Sequence, residues 1–388
     1  CGGHRIAVAR TSGPTTACRN SILNVILWFV MLLRTGGLTT DCSGRSAARP
    51  AADAGRWAAT LRYIGEGFML RSLLGFDWRK SKAHLLLLSK FLHPKTVDDF
   101  AESDAWKTVL GEAPKQAIRR FLNEGMLVQA DLSAQLDYKY KVNELKDMLK
   151  QRGLAVSGRK GDLIQRLVQA DPEGMKQTVA GLRILLCSEQ GREIAEQYVA
   201  NEKAKRSKVE QQVLDYLQQR KFKEASITVA SYEAEQVFPR GIGIGWKHYN
   251  PARDMAMLNI IFSGKPRILA SLSDSHLDKL RLVAGMMYLW GTNQCKEWLP
   301  PNFETDLAMD NDAAARMFVF YASHQISLAD YKRSGVVKQV EISATQDSCN
   351  ACKRIAGKRY KLNEVPELPY EHCMHQMGCR CTLLPITK

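Results

Sequence analysis

Apolar residues recur every three or four positions through most of the chain, which predicts a mainly α protein, α+β overall and multi-domain. From Ala83, the residues Leu85, Leu86, Leu88 and Leu92 form one apolar face, and Pro94 ends the helix. Ala117, Ile118, Phe121 and Leu122 mark a second helix from Ala113 to Glu124. Gly125 closes it before the short apolar run Met126, Leu127 and Val128, an order compatible with the edge of a winged-helix-like unit.

Two shorter helices are predicted between Asp137 and Asp171. Val142, Leu145 and Leu149 line the first, Gly153 stops it in a left-handed conformation, and Leu154 turns back. Ser157 is the expected cap of the second, with Leu163, Ile164 and Leu167 on its buried side. Long helices are expected from Glu173 to Phe222, striped by Val179, Leu182, Leu185, Leu186, Ile194 and Tyr198 and then by Val213, Leu214 and Leu217. Between these stripes, KAKRSK (203–208) reads as a solvated helix face or linker, with a second phosphate-facing patch as the alternative. ITVASYEA (227–234) reads as strand or irregular chain. Gly241, Gly243 and Gly245 read as a tight turn, because the Lys-Ser/Thr of a phosphate loop is missing. Further helices are predicted over 273–290 and 313–331.

Composition narrows the partners. The 388 residues are 45% apolar, which excludes disorder throughout, and the formal net charge of +15 favours an acidic polymer or surface. Residues 1–68 carry Arg but no Lys, and an apolar run over 22–33 flanked by Arg19 and Arg34. That run is too short for a membrane span, so the segment reads as a leader or an over-extended translation, and no membrane partner is expected. The remainder divides into a helical region at 69–136, the hairpin at 137–171, a helical middle domain at 172–340 and a Cys-rich tail at 341–388.

The hairpin carries eight basic and five acidic residues, and Gly158, Arg159, Lys160 and Gly161 set cations beside the open amides at the start of its second helix. Exposed amides and the positive helix end both favour a phosphate there. ELKDMLKQRGL followed by SGRKGDLIQRL resembles the SAP domain, a small helix-turn-helix module of chromatin and DNA-repair proteins. The resemblance implies duplex DNA as partner, with modest selectivity and a liking for AT-rich sequence. It nominates Ser157, Gly158, Arg159 and Lys160 as contacts, with Lys150 and Arg152 nearby, and Val142, Leu145, Leu149, Leu154, Leu163 and Leu167 as core.

Five of the ten cysteines crowd into the last 40 residues. Cys349 and Cys352 form a two-residue-spaced chelating pair, and a second pair some 20 to 30 residues on completes a tetrahedron of soft ligands suited to structural zinc. The ligand set read from this spacing is Cys349, Cys352, Cys373 and Cys379, with His372, His375 or Cys381 as substitutes. A closed thiolate site staples a fold and leaves no position for water. The run from Cys349 through GKRY to GCRCTLLPI is similar to the ending of Mu F-like minor head proteins, the phage head-morphogenesis family. Cys379, Arg380 and Cys381 match that ending; its His-Pro dipeptide is missing and Cys373-Met374-His375 intervenes. Portal or capsid proteins are the partners this second resemblance implies.

No Ser-His-Asp, paired-carboxylate or HExxH signature appears, and His248, His276 and His324 read as structural. The sequence thus points to a cytoplasmic, nucleoid-associated protein of bacterial or phage origin that binds DNA without turnover and identifies no small-molecule substrate. An assembly protein, or a DNA-processing enzyme with its site between Glu173 and Tyr331, are the alternatives.

Overall fold

The computed structural model describes residues 76–101, 103–241, 244–295 and 298–387, so the reading of residues 1–68 lies outside the described residues. The described chain is mainly helical, with two three-stranded antiparallel sheets and three hydrophobic cores.

The first core gathers α1 (Lys82–Lys90), β1 (Lys95–Thr96), α2 (Asp98–Ala101), α3 (Asp104–Leu110), α4 (Pro114–Asn123) and β2 (Leu127–Gln129). Pro114 opens α4 at a position where its missing amide costs nothing, and Ala117, Ile118 and Phe121 are buried at helical spacing. Gly125 takes φ 70° and reverses the chain into β2, as the helix-glycine-strand pattern anticipates.

The sheet is completed from far away. Strand β3 (Ile184–Cys187) lies between the other two, in the order β1-β3-β2, with Leu127 opposite Cys187 and Gln129 opposite Leu185. Here the structure departs from the long helix expected after Glu173. Helix α8 (Pro172–Thr178) ends, Gly181 turns at φ 83°, and the four consecutive apolar residues of β3 are buried or nearly so. A continuous apolar run suits a strand covered on both faces, and pairing with β2 decides between the two readings.

Residues 130–183 therefore leave and re-enter between neighbouring strands. They hold α5 (Leu132–Lys139), α6 (Val142–Gln151), α7 (Lys160–Ala170) and α8 around their own core, with Leu136, Leu145, Leu149, Leu163, Ile164, Leu167 and Met175 buried. Val142, expected inside, is 38% exposed, because it opens α6 ahead of the turn that faces the core.

Helix α9 (Glu189–Gln218) runs from the first core, where Gly191 and Ala195 are buried, to the third, where Val213 and Leu217 are buried. At about 1.5 Å per residue its 30 residues span roughly 45 Å. KAKRSK sits on its middle turns without interrupting it, so the solvated-face reading holds. The third core adds α10 (Phe222–Ala234), α11 (Ala252–Ser263), α12 (Asp274–Trp290), α13 (Asn311–Ser334) and the sheet β5-β4-β6. Segment 227–234 is helix in α10, not strand: Phe222, Ala225, Val229 and Ala230 are buried at helical spacing, and packing outweighs the β-branched residues. In the carboxy-terminal sheet, β4 (Val337–Ser343) pairs antiparallel with β5 (Arg359–Lys361) on one side and β6 (Thr382–Thr387) on the other. Helix α14 (Asn350–Ile355) follows β4 and carries the first cysteine pair's second member.

Candidate nucleic-acid interface and metal centre

The hairpin loop is held by its own side chains. Gly153, at φ 66°, lets the Leu154 amide return to the Leu149 carbonyl at 2.9 Å, which closes α6. Arg166 donates to the carbonyls of Ala155 at 2.5 Å and Ser157 at 3.2 Å and so pins the loop from behind. The cap of α7 is not Ser157, as expected, but Arg159, whose amide donates to the Asp162 carboxylate at 2.8 Å. Gly158 at φ 118° makes that approach possible; a Cβ there would lie 3.0 Å from the carboxylate.

The nominated cations fall into two groups. Arg152 grips Asp171 at 2.7 and 3.1 Å and reaches the Met148 carbonyl, and its guanidinium holds the Asp171 carboxyl below the usual carboxylate range. This is a brace joining the end of α6 to the cap of α8. Lys160 meets Asp137 at 3.0 Å across the start of the module, with its side chain about one-third exposed. Lys150 has only a surface pair with Asp147 at 3.3 Å, and Arg159 is exposed. Ser157, Gly158, Arg159 and Lys160 thus form one continuous stretch at the open end of α7.

The five cysteines of the tail meet in space. Cys349, Cys352 and Cys373 have their sulfurs within 4.8 Å of one another, and so do Cys352, Cys379 and Cys381, so Cys352 belongs to both groups. Cys349 and Cys373 are 3.8 Å apart and Cys352 and Cys379 4.0 Å, and the described cysteines form no disulfide. Sulfurs about 2.3 Å from a tetrahedral ion stand about 3.8 Å apart, so each group of three has a spacing that could hold a metal ion. The Tyr370 amide donates to Cys379 at 3.2 Å, a bond that favours thiolate. Donor bonds from the thiols of Cys352, Cys373 and Cys381 pull Cys379 far down, and the same exchange pushes Cys352 up. Burial raises Cys349, but the amides of Cys352 and Met374 and the thiols of Cys352 and Cys373 bring it to about 7.

Neither tail histidine joins either group. His372 is exposed beside Tyr370, and His375 contacts Arg380 at 3.1 Å while accepting from the Met377 amide. Arg380 also pairs with Asp347 at 2.7 Å and draws its carboxyl down to about 2. The arginine between the last two cysteines therefore ties them to the loop that carries the first pair. Of the isolated histidines, His324 is buried, and burial holds it near 4.

One cluster gave almost no signal in the sequence. His84, fully buried, bonds Ser81 Oγ through Nδ1 at 2.9 Å and Glu112 through Nε2 at 2.7 Å, and Arg120 holds the same carboxylate at 2.8 and 2.9 Å. Only a Ser-x-x-His at a helix start hinted at it. The ring also contacts Phe76 and Phe121, and the chain of bonds clamps α1 to the turn before α4.

Residues 139–172 match the SAP domain family, so the chain contains a SAP domain, a module that implies nucleic-acid binding. No curated protein and no solved structure matches the chain. No helix among the described residues is long and apolar enough to cross a membrane.

Proposed function

We propose that the protein binds duplex DNA without turnover through the open end of its SAP hairpin, and that one zinc ion held by the tail cysteines staples its carboxy-terminal sheet. The observation that carries the reading is the stretch Ser157–Lys160, where an exposed loop, a helix start and two cations coincide, with the loop tied by bonds from Arg166 and to Asp162. Backbone phosphates are the natural ligand of such a place, and a nucleoid-associated location follows from that ligand. Cys349, Cys352, Cys373 and Cys379 are the proposed ligands, with Cys381, the buried fifth thiol, as the substitute.

Fluorescence anisotropy with a labelled AT-rich duplex tests the first half. Arg159→Ala with Lys160→Ala is expected to weaken binding by about tenfold or more, and equal affinity in parent and variant refutes the assignment. A second reading, a head-assembly protein, draws on β6, the short strand that follows Cys381 as the Mu F-like resemblance requires. Co-purification with portal or capsid proteins is its test.

A further inference from the structure

The turn between α3 and α4 lies outside the SAP domain and outside the metal centre. Helix α3 ends at Leu110, Gly111 takes the left-handed conformation at φ 69°, and after Glu112 and Ala113 helix α4 starts at Pro114. Two helices joined by a three-residue turn that opens with a left-handed glycine have the turn of a helix-turn-helix unit, the motif whose second helix enters the DNA major groove. The surroundings agree. Leu110, Ala117, Ile118 and Phe121 bury one side of the pair in the first core, and β2 and β3 follow α4 in the same small sheet.

The other side of α4 is unpartnered and of one sign. Lys115, Gln116, Arg119, Leu122 and Asn123 are exposed, and Lys115 and Arg119 join no ion pair among the described residues. The acidic groups beside them are already committed. Glu112 is taken by His84 and Arg120, and Glu124 by Arg79 at 2.9 Å and the Trp78 indole at 2.9 Å. Two free cations with two amides along one stripe match what a groove offers: Arg and Lys pair with guanine, Gln and Asn with adenine, and both cations favour the phosphates that border it.

We infer that α4 is a DNA-recognition helix that reads base edges of duplex DNA through Lys115, Gln116, Arg119 and Asn123, a second nucleic-acid surface separate from the SAP hairpin. It shares its partner with the reading above and deepens it, but uses none of the hairpin's residues. The SAP module then stands in the connection between β2 and β3, where it adds phosphate contacts to base readout.

The test selects from a pool of duplexes with randomised centres, using the full chain, and then compares the selected duplex with a scrambled one. The parent is expected to enrich a short motif. Lys115→Ala with Arg119→Ala should lose roughly tenfold or more of the preference for that motif, while Arg159→Ala with Lys160→Ala should weaken both duplexes alike. Gln116→Ala, uncharged and exposed, should shift the motif without changing the salt slope. A parent that enriches no motif, or an α4 variant that keeps full affinity and preference, overturns the inference. Loss confined to the α4 variant, with the hairpin variant unchanged, upholds it and sinks the SAP reading instead.

Discussion

Salt dependence separates a few phosphate contacts on the hairpin from a broad basic surface. The nominated cations do not count equally: Arg152 is locked to Asp171 by two bonds, Lys150 holds an exposed pair that contributes about 0–1 kcal/mol, and the one-third-exposed Lys160 must exchange its contacts with the Asp137 carboxylate and carbonyl for a phosphate. Three side chains, Lys150, Arg159 and Lys160, therefore remain to neutralise phosphates from the hairpin. A slope of about −0.9 per contact gives about −2.7 from these three, roughly a 40-fold loss of affinity between 50 and 200 mM salt. Removing Arg159 and Lys160 together should raise the slope by about 1.8, leaving roughly a fourfold loss from the hairpin over the same interval. Anisotropy titrations of the full chain at four salt concentrations measure both slopes, and contributions from other basic residues cancel in the difference. A parent slope much steeper than about −3 assigns the excess to cations elsewhere in the chain. A double variant whose slope stays within about 0.3 of the parent's refutes the reasoning, because it removes those two side chains from the phosphate contacts.

The purified chain should carry about one zinc by elemental analysis, and Cys352→Ser, which removes the sulfur common to both thiol groups, should release it and loosen the carboxy-terminal sheet; full occupancy in that variant places the ion elsewhere. Gly158→Ala should cost about 1–2 kcal/mol in urea unfolding, since φ 118° and the 3.0 Å approach to Asp162 both oppose a side chain, and an unchanged midpoint contradicts the cap geometry. Burial pushes the Glu112 carboxyl up, but bonds from His84 and Arg120 outweigh it and hold the folded value below the ordinary one. Its stabilisation is therefore present above the unfolded carboxylate range and is lost as pH falls through the lowered folded value. Glu112→Gln should lose about 2–4 kcal/mol at neutral pH and flatten the acid limb of a stability-against-pH curve, and an acid limb as steep as the parent's contradicts this.

Local pattern carried the hairpin. The spacing of Leu145, Leu149, Leu163 and Leu167, with Gly153 between, specifies two helices and a reversal within one stretch, so both core and turn could be read from neighbours in sequence. The helices over 273–290 and 313–331 were legible for the same reason, each having a capping side chain, Ser273 and Asp310, at its start. Misreadings arose where distant partners decide. Ile184–Cys187 is a strand because β1 and β2 flank it, and segment 227–234 is helical because α9 and α11 pack against its helix. The cysteines were legible as a set, but the exclusion of both histidines depends on Arg380 and Tyr370, contacts that spacing does not encode. His84 was missed because its partner Glu112 is 28 residues away.

The place of the hairpin in the chain explains how one module can be added to another without disturbing it. Its two ends are side by side: Gln129 faces Leu185, and the Ala130 amide donates to the Ile184 carbonyl at 2.9 Å. The host sheet thus sees only a connection between adjacent antiparallel strands, whose closure costs little more for a long excursion than for a short one. The excursion keeps its own core, so its stability does not draw on the first. Tyr138 reaches back to Asp99 at 3.0 Å, one direct tie between α5 and α2. An insertion fixed at both ends keeps a bounded reach from its host, and that constraint would let a phosphate grip by Arg159 and Lys160 raise the local concentration of DNA around Lys115 and Arg119.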